Sequence, residues 1–370
     1  MEFTHGLSPD ALTALIAGIL RADGCDAAEA AAVAEHLVEA NLSGHDSHGI
    51  VRITRYHDWL LKGQIHAGRS LKVLLDTGAA LQLDGQDGMG QWLARRATDM
   101  AMERAEAHGI AILALRRAGH IGRAGSFAEQ AVAQGFVSVN FVNVAGSRLV
   151  APFGAFRRCI STAPVAIGVP NPGGGDFILD FATSVAAEGK ALVASQGGKP
   201  LPAGALIDGE GRLTEDPAVL YGETLKTAVP DPKAGPGALR AMGEHKGSGL
   251  ALACELLAGA LTGNGTCVNP ERGFGNGLFS VIVKRERFDD LGAFAAEVAA
   301  YVDYVRASPP AAGHEAVLIP GDRERALRAE RRRTGLSLPT PVLEQILAIA
   351  TDLALPAEVP ATERGLRMPA

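Results

Sequence analysis

Residues 43–52 read Ser43-Gly44-His45-Asp46-Ser47-His48-Gly49-Ile50-Val51-Arg52, and Tyr56 follows four positions later. This run brings imidazole, hydroxyl, carboxylate and guanidinium groups within a short length of chain. If a helix begins within the run, residues four apart share a face, and His48, Arg52 and Tyr56 point the same way. The planar guanidinium of Arg52 suits a carboxylate, which it can bind through two hydrogen bonds. A nearby imidazole can exchange a proton with an oxygen on the carbon next to that carboxylate. The run therefore predicts the catalytic core of an enzyme that acts on 2-oxo or 2-hydroxy acids.

Three other roles remain open for this run. A histidine is more often a hydrogen-bonded structural residue than a catalyst, and Ser43, Asp46 and Ser47 are all typical N-caps. His45 and His48 have the spacing of half a metal site, which would suit a metal-dependent hydrolase. No H-E-x-x-H pattern occurs, however, and the four cysteines show no paired ligand spacing, so an enzyme without a bound metal is favoured.

The composition sets the broad class of the protein. At 370 residues, the chain is long enough for two domains. A net charge of −6 and the lack of a long basic run argue against nucleic-acid binding. The most apolar segment, residues 248–261, contains Glu255 and is too short to span a membrane. Because the N-terminus does not resemble a signal peptide and the cysteines are widely spaced, we expect a cytoplasmic enzyme without membrane partners.

Helix and strand patterns alternate along the chain. Ser8 and Asp26 are typical N-caps of two helices, and a third is expected to run through Trp59 to Gly63. Strands are predicted at residues 71–75, 80–84, 110–115, 136–142, 165–169 and 278–283, and a Pro- and Gly-rich surface excursion at residues 201–243. A glycine-rich loop is predicted at residues 85–90, but G-x-G-x-x-G occurs nowhere in the chain, and neither does a P-loop. A bound nucleotide would therefore lie on a framework other than the Rossmann fold.

Several polar residues lie where predicted strands end or helices begin. His120 follows an apolar strand, a common place for a ligand contact, although a loop residue that holds the strand end fits equally. Asp180 ends an apolar run and needs an imidazole or backbone donors, because an unpaired buried carboxylate is costly. Thr183 and Ser184 are predicted to cap a helix whose start would suit a pyrophosphate. Lys246 opens an apolar helix and suits a phosphate or a carboxylate, unless it is an ordinary exposed lysine.

Five motifs are spread over residues 44–321: Gly44 to Gly49 with Arg52, Gly119 to Gly122, Asp180 to Ser184, Glu244 to Gly247, and Pro320-Gly321. Together they resemble the malate/L-lactate/ureidoglycolate dehydrogenase family, whose members are NAD(P)-dependent oxidoreductases unrelated to the Rossmann-type malate and lactate dehydrogenases. Five motifs in the family's order are far more specific than any single match. With Ala151-Pro152-Phe153, they make the bacterial hydroxycarboxylate dehydrogenases the branch that the chain resembles most.

The resemblance implies a fold, an assembly and a reaction. The fold would be mixed α/β, with a largely antiparallel central sheet that binds the cofactor without a Rossmann fingerprint. Residues 76–314 would form the NAD(P)-binding domain, and residues 1–75 with 315–370 a helical domain at the substrate and dimer contacts. The protein would be a homodimer that uses NAD or NADP to transfer hydride to or from a 2-oxo or 2-hydroxy acid.

The resemblance also implies roles for individual residues. His48 would be the general acid/base, with Ser47 as its relay partner and Asp180 as a second relay member. The substrate-binding residues would be Arg52, which binds the carboxylate, Tyr56 and Thr162. The residues lining the nicotinamide dinucleotide would be His120, Asp180, Phe181, Ala182, Thr183, Ser184, Lys246, Gly247 and Gly321.

One motif departs from the family pattern. Where the family usually shows Gly-Thr-Asn-Pro, this chain has Ser161-Thr162-Ala163-Pro164. The lost Asn amide removes a hydrogen-bonding group near the expected active site, which affects substrate preference more than reaction type. Malate, lactate or a related hydroxycarboxylate is the first expectation, while ureidoglycolate, sulfolactate and cyclic imino acids stay open as substrates. His120 also stays open as an alternative proton acceptor.

Overall fold

The computed structural model describes residues 2–195, 199–222, 231–268, 274–289 and 292–356. The helices in these ranges are α1 Pro9–Ala22, α2 Ala27–Leu42, α3 Ile53–Leu61, α4 Gly90–His108, α5 Gly125–Ala133, α6 Glu188–Ser195, α7 Ala218–Tyr221, α8 His245–Cys254, α9 Phe294–Arg306, α10 Asp322–Thr334 and α11 Thr340–Asp352. The strands are β1 Phe3–Leu7, β2 Lys72–Asp76, β3 Ala80–Gly88, β4 Ile110–Ala118, β5 Phe136–Ala145, β6 Val150–Ala151, β7 Pro164–Val169, β8 Phe177–Ala182, β9 Leu206–Ile207, β10 Leu213–Thr214, β11 Ala238–Arg240, β12 Gly275–Lys284 and β13 Leu336–Pro339. None of the helices described here has both the length and the apolar character needed to cross a membrane.

A seven-stranded sheet forms the centre of the molecule, in the order β2-β3-β4-β12-β5-β7-β8. Only β3 and β4 are parallel neighbours, and every other pair in this sheet is antiparallel. Alternate residues of β4 and β12, such as Leu113 and Ile282, are buried against alanine-rich faces of α4 and α5. The prediction of a mixed α/β fold with a largely antiparallel sheet and no Rossmann strand order is confirmed.

The two ends of the described chain meet in one helical layer. β1 pairs antiparallel with β13, and residues such as Leu12, Leu37 and Ile346 share one buried apolar cluster. Ser8 and Asp26 cap α1 and α2 as predicted, because their side-chain oxygens accept hydrogen bonds from the first helical amides. The domain boundaries near residues 75 and 315 stay a prediction.

Two segments predicted as loops contain strands instead. Residues 85–90 do not form a separate loop, because β3 continues to Gly88, which pairs with Ala118 of β4. A Cβ at Gly85 would lie 2.8 Å from a backbone oxygen of β4, so the glycines permit this close approach. Residues 201–243 contribute to a second sheet, β10-β9-β11-β6, since the fully buried Leu206 and Leu239 give it a core of its own. The part of this excursion at residues 223–230 lies outside the described residues.

Candidate active site

The reactive run at residues 43–52 does not form one α-helix. Two short 3-10 turns, Asp46–His48 and Ile50–Arg52, precede α3. The break follows from the buried Asn41, whose Oδ1 accepts a hydrogen bond at 2.7 Å from the first amide of the second turn. A Cβ at Gly49 would lie 2.0 Å from this oxygen, so glycine is required there. The expectation of a helix that begins within the run is therefore wrong, and the α-helix begins at its end.

Two histidines from different motifs nevertheless lie face to face. The rings of His48 and His120 stack with their centres 5.6 Å apart and their planes 10° apart. The Ser47 hydroxyl oxygen lies 3.2 Å from Nδ1 of His48, and Nε of Arg52 donates to the Ser47 backbone oxygen at 2.6 Å. The structure thus brings three predicted catalytic and substrate-binding residues, Ser47, His48 and Arg52, together with His120, which was predicted to line the cofactor.

Tyr56 fixes the protonation of the second histidine. Its hydroxyl oxygen accepts a hydrogen bond from the Gln91 side-chain amide at 2.7 Å and lies 2.5 Å from Nδ1 of His120. Burial raises the pKa of Tyr56, so the phenol keeps its proton. Because the phenol oxygen already accepts from Gln91, we infer that its proton is donated to Nδ1 of His120. The proton of a neutral His120 ring is therefore on Nε2.

The charges in the cluster keep both imidazoles neutral. Burial, together with the positive charge of Arg52, lowers the pKa of His48 to about 3. The same two causes lower the pKa of His120 well below its ordinary value. Both rings are therefore neutral at pH 7. A carboxylate bound to Arg52 would offset its charge and raise the pKa of each histidine.

Aromatic rings close one side of the cluster. The Phe274 ring centre lies 5.9 Å from that of His120 and 4.8 Å from that of Trp59. Trp59 also lies 6.0 Å from Tyr56, its neighbour on α3. These rings cover His120 on that side, and the lower local dielectric strengthens its electrostatic interactions.

The edge strand β8 carries the second group of predicted residues. One end of its open edge is covered where Ile178 N donates to Pro320 O at 3.0 Å. Beyond the other end of the strand, Ser184 forms a bridge to Ala241, just before α8. Because alternate residues of an edge strand point their amides outward, Asp180 and Ala182 lie on the edge between these two contacts. Three separate motifs therefore meet along one short backbone edge.

Asp180 finds a backbone donor, as its burial requires. Its Oδ2 accepts a hydrogen bond from Gly125 N at 3.0 Å, at the start of α5. Burial raises the pKa of Asp180, while the positive charge of Arg123 and the hydrogen bond from Gly125 act in the opposite direction. Asp180 is not hydrogen-bonded to Ser47 within the described part of the chain, so the structure does not bring the two predicted relay partners into contact.

Thr183 and Ser184 do not cap a helix, contrary to the sequence prediction. Both are buried, and each hydroxyl donates to backbone carbonyls: Thr183 to Thr162 and Ala163, and Ser184 to Ala186. The following helix, α6, begins only at Glu188. Both hydroxyls are hydrogen-bonded to backbone carbonyls and lie ahead of α6, so they do not form an anion site at the start of a helix.

The remaining predicted residues lie around the same strand. Lys246 is exposed in the first turn of α8, whereas Gly247 packs so tightly that a Cβ would lie 2.0 Å from the Met242 oxygen. The half-buried Phe181 packs against the apolar cluster that includes Val165. Gly321 has a φ of 97° and lies beside Ile178 of β8.

The departure from the family pattern has a backbone consequence. Ala163 adopts a φ of 40°, in the left-handed region that asparagine tolerates better than alanine. The neighbouring Thr162 uses its backbone oxygen to accept from Thr183 N at 3.1 Å. The backbone conformation suits the family's asparagine, although the side chain is absent here.

The catalytic run and the β8 region approach each other at α6. A Cβ at Gly189, in the first turn of this helix, would lie 2.9 Å from Cβ of Ser47. Glycine thus lets α6 pack directly against the serine that contacts His48. The serine beside His48 therefore lies against the helix that follows β8.

The alternative of a metal site gains no support from these contacts. Among the described residues, no group of three or more His, Cys, Asp or Glu side chains is arranged to hold a metal ion. Nε2 of His45 lies 3.7 Å from a carboxylate oxygen of Glu324, while Nδ1 of His48 lies against Ser47. The two imidazoles of the H-x-x-H spacing therefore have different partners.

Three residues of the site could not be found from sequence patterns. Gln91 bonds to Tyr56, Phe274 lies against His120, and Asn41 shapes the turn at residues 46–52. None belongs to a motif, and their sequence distances from the run vary widely. The only possible signal was the position of Asn41 and Gln91 within helical patterns, since a polar side chain that is buried there needs a hydrogen-bond partner.

Comparison with known proteins finds relatives that match most of the chain. The family model for malate/L-lactate dehydrogenases matches residues 7–347. Hydroxycarboxylate dehydrogenase B of Escherichia coli K12 is 36% identical over 364 residues, which is 97% of both chains. An L-lactate dehydrogenase of Cupriavidus necator is 38% identical over 82% of this chain and 85% of its own. The solved structure of sulfolactate dehydrogenase from Methanocaldococcus jannaschii superposes with a TM-score of 0.84 and 30% identity, covering 96% of this chain and 98% of its own.

The fold and these relatives define a hydroxyacid dehydrogenase, an oxidoreductase whose central sheet does not have the Rossmann strand order. The chain belongs to the malate/L-lactate dehydrogenase family.

Proposed function

We propose that the cleft between the paired histidines and β8 transfers hydride between NAD(P)H and a 2-oxo acid. The observation that carries this proposal is the stack of His48 on His120, with Arg52 close to both. The site offers a proton carrier, a hydrogen-bond donor and a carboxylate anchor to one small substrate. These are the groups that reduction of a 2-oxo acid needs.

The residues along β8 fit a nicotinamide cofactor. A carboxamide needs both a donor and an acceptor, and an edge strand presents such pairs at Asp180 and Ala182. Lys246, at the start of α8, supplies a cation beside helical amides for a pyrophosphate. When bound, the nicotinamide supplies the hydride. Both NAD and NADP are compatible with this set of residues.

The hydrogen bonds support different roles for the two histidines. Because Tyr56 donates to Nδ1 of His120, the Nε2–H of this ring is a hydrogen-bond donor to a substrate oxygen. If Nδ1 of His48 donates to Ser47, its Nε2 is free to accept a proton during oxidation and to return it during reduction. His48 is therefore our choice as general acid/base, with His120 as the donor that stabilises developing charge.

Arg52 links substrate binding to this proton transfer. Its Nε donates to the Ser47 backbone oxygen, which orients the guanidinium, and among the described residues its Nη groups form no hydrogen bond, so they can bind a carboxylate. Binding of that carboxylate raises the pKa of His48, so the ring becomes protonated more readily once the substrate is present. Substrate binding thus prepares the acid that reduction requires.

The substrate is a 2-oxo or 2-hydroxy acid such as malate, lactate or a related hydroxycarboxylate. Similarity to a sulfolactate dehydrogenase keeps that substrate as an alternative, and a cyclic imino acid or ureidoglycolate is a further one. All of these share a carboxylate beside the reacting carbon, which is the feature that Arg52 would bind. The side chain of the substrate distinguishes them.

The assembly proposed is a cytoplasmic homodimer. The edge strand β2 exposes Val73, Leu74 and Leu75, an apolar surface that a second copy would cover. Free thiols at Cys25, Cys254 and Cys267 suit a reducing compartment.

Purified protein is expected to reduce at least one 2-oxo acid with NADH or NADPH after exhaustive EDTA treatment. The physical reason is that the proposed chemistry needs only a nicotinamide and the side chains described above. A panel of 2-oxo acids, assayed with both cofactors by absorbance, is the measurement. Activity that disappears with chelator and returns with zinc would contradict the proposal and favour a metal at His45 and His48.

A further inference from the structure

A second arginine lies near the rim of the same cleft. Arg55 is exposed on α3, three residues after Arg52. Residues at this spacing are neighbours on a helix surface, with ~5–6 Å between their Cβ atoms. The Arg55 guanidinium lies 5.9 Å from the ring centre of Trp59, one turn further along the helix. Arg55 therefore stands beside the carboxylate anchor, held against an aromatic ring of the site.

The geometry of α3 turns this arginine toward the cleft. At 3.6 residues per turn, Arg55, Tyr56 and Trp59 fall within roughly 100° of the circumference of α3. Tyr56 on this stripe contacts His120, and Trp59 contacts Phe274, which contacts His120 in turn. The charge of Arg55 also helps to lower the pKa of His120. Arg55 thus shares the face of α3 that lines the site.

In the part of the chain that the structure describes, Arg55 forms no ion pair with a carboxylate. The nearby Asp58 pairs with Lys62 at 2.7 Å. Arg96 of α4 provides a contrast: it stacks on Trp92 at 5.8 Å, and Asp99 lies 3.5 Å from it. The cation at the rim is therefore available to an anionic group of a ligand.

We propose that Arg55 is a specificity-determining residue that binds the second acidic group of a diacid substrate. This inference rests on the proposed function, in which Arg52 binds the carboxylate beside the reacting carbon. The preferred substrate class is then a 2-oxo or 2-hydroxy acid with a second carboxylate or a sulfonate at the far end of a short chain. The alkyl side chain of a monoacid has no charged group that could bind the Arg55 guanidinium, so monoacids do not form this contact.

The test compares wild-type enzyme with Arg55→Gln, Arg55→Lys and Arg96→Gln in the oxidation of malate and lactate. Arg55→Gln should lower kcat/KM for malate about five- to tenfold, mainly through KM, because one charged contact at a solvent-exposed rim is lost. The value for lactate should change less than twofold. Arg55→Lys should keep a higher kcat/KM for malate than Arg55→Gln. The matched control Arg96→Gln should leave kcat/KM unchanged for both malate and lactate.

Each other outcome has a clear meaning. If Arg55→Gln lowers kcat/KM equally for malate and lactate, or changes neither value, Arg55 does not select diacids. The inference is then wrong, while the proposed function stands. If the wild-type enzyme prefers lactate and Arg55→Gln leaves that preference unchanged, the inference is also wrong. If the wild-type enzyme oxidises neither malate nor lactate but reduces a monoacid of the 2-oxo acid panel, the inference is wrong, while the proposed function stands. If it reduces no member of the panel, the proposed function fails, and the inference with it.

Discussion

His48→Ala is expected to lower turnover of the best 2-oxo acid by at least ~10²-fold, the scale of a lost general acid. The side chain removed is the imidazole that stacks on His120 and contacts Ser47. Cofactor affinity should stay nearly unchanged, because β8 and α8 hold the proposed cofactor contacts. Steady-state kinetics and a fluorescence titration of the cofactor measure the two effects separately.

Two further variants define what this result means. His108→Ala, at the exposed end of α4, is the control and should leave turnover unchanged. Added imidazole should restore part of the activity of His48→Ala if the missing group is a proton carrier. If His120→Ala abolishes turnover and His48→Ala leaves it nearly normal, His120 is the general acid/base and the two roles assigned here must be reversed.

Arg52→Lys should mainly weaken binding of the 2-oxo acid, by about 1.5–3 kcal/mol, the scale of a hydrogen bond to a charged group. Lysine keeps the charge, but it loses the planar fork that binds a carboxylate at two points. It also loses the Nε contact to the Ser47 backbone that orients the side chain. We therefore expect kcat/KM on the best substrate to fall roughly 10- to 150-fold, at constant cofactor affinity.

Arg96→Lys is the matched control for this change. Arg96 is a helical arginine stacked on a tryptophan outside the cleft, and its loss should cost no more than a surface ion pair, ~0–1 kcal/mol of stability. An Arg52→Lys enzyme with unchanged kcat/KM would remove the carboxylate anchor from the mechanism. It would also remove the main physical reason for choosing a 2-oxo acid as substrate.

The sequence predicted the elements whose signals are local. Ser8 and Asp26 cap their helices because a cap is a contact between neighbours in the chain. The motif of Gly119 to Gly122 and the run at residues 43–52 were both recognised, and the structure brings them together. Short-range chemistry therefore located the site.

Features that depend on distant contacts could not be predicted. The helix start was misplaced because Asn41 binds the turn through its side chain, which no spacing rule reveals. Thr183 and Ser184 look like caps in sequence, but the carbonyls that accept from Thr183 come from another strand end. The partnership of Gln91 with Tyr56 joins residues far apart in the chain, so only the fold could show it.

The central claim is that hydride moves directly between a nicotinamide and the carbon beside the carboxylate bound by Arg52. The most direct test uses NADH and NADPH deuterated at C4, on each face in turn, with the best 2-oxo acid of the panel. We predict that one of the two labelled faces delivers deuterium to C2 of the 2-hydroxy acid product, detected by NMR and mass spectrometry. Cofactor oxidation that leaves C2 unlabelled with both faces would contradict the account.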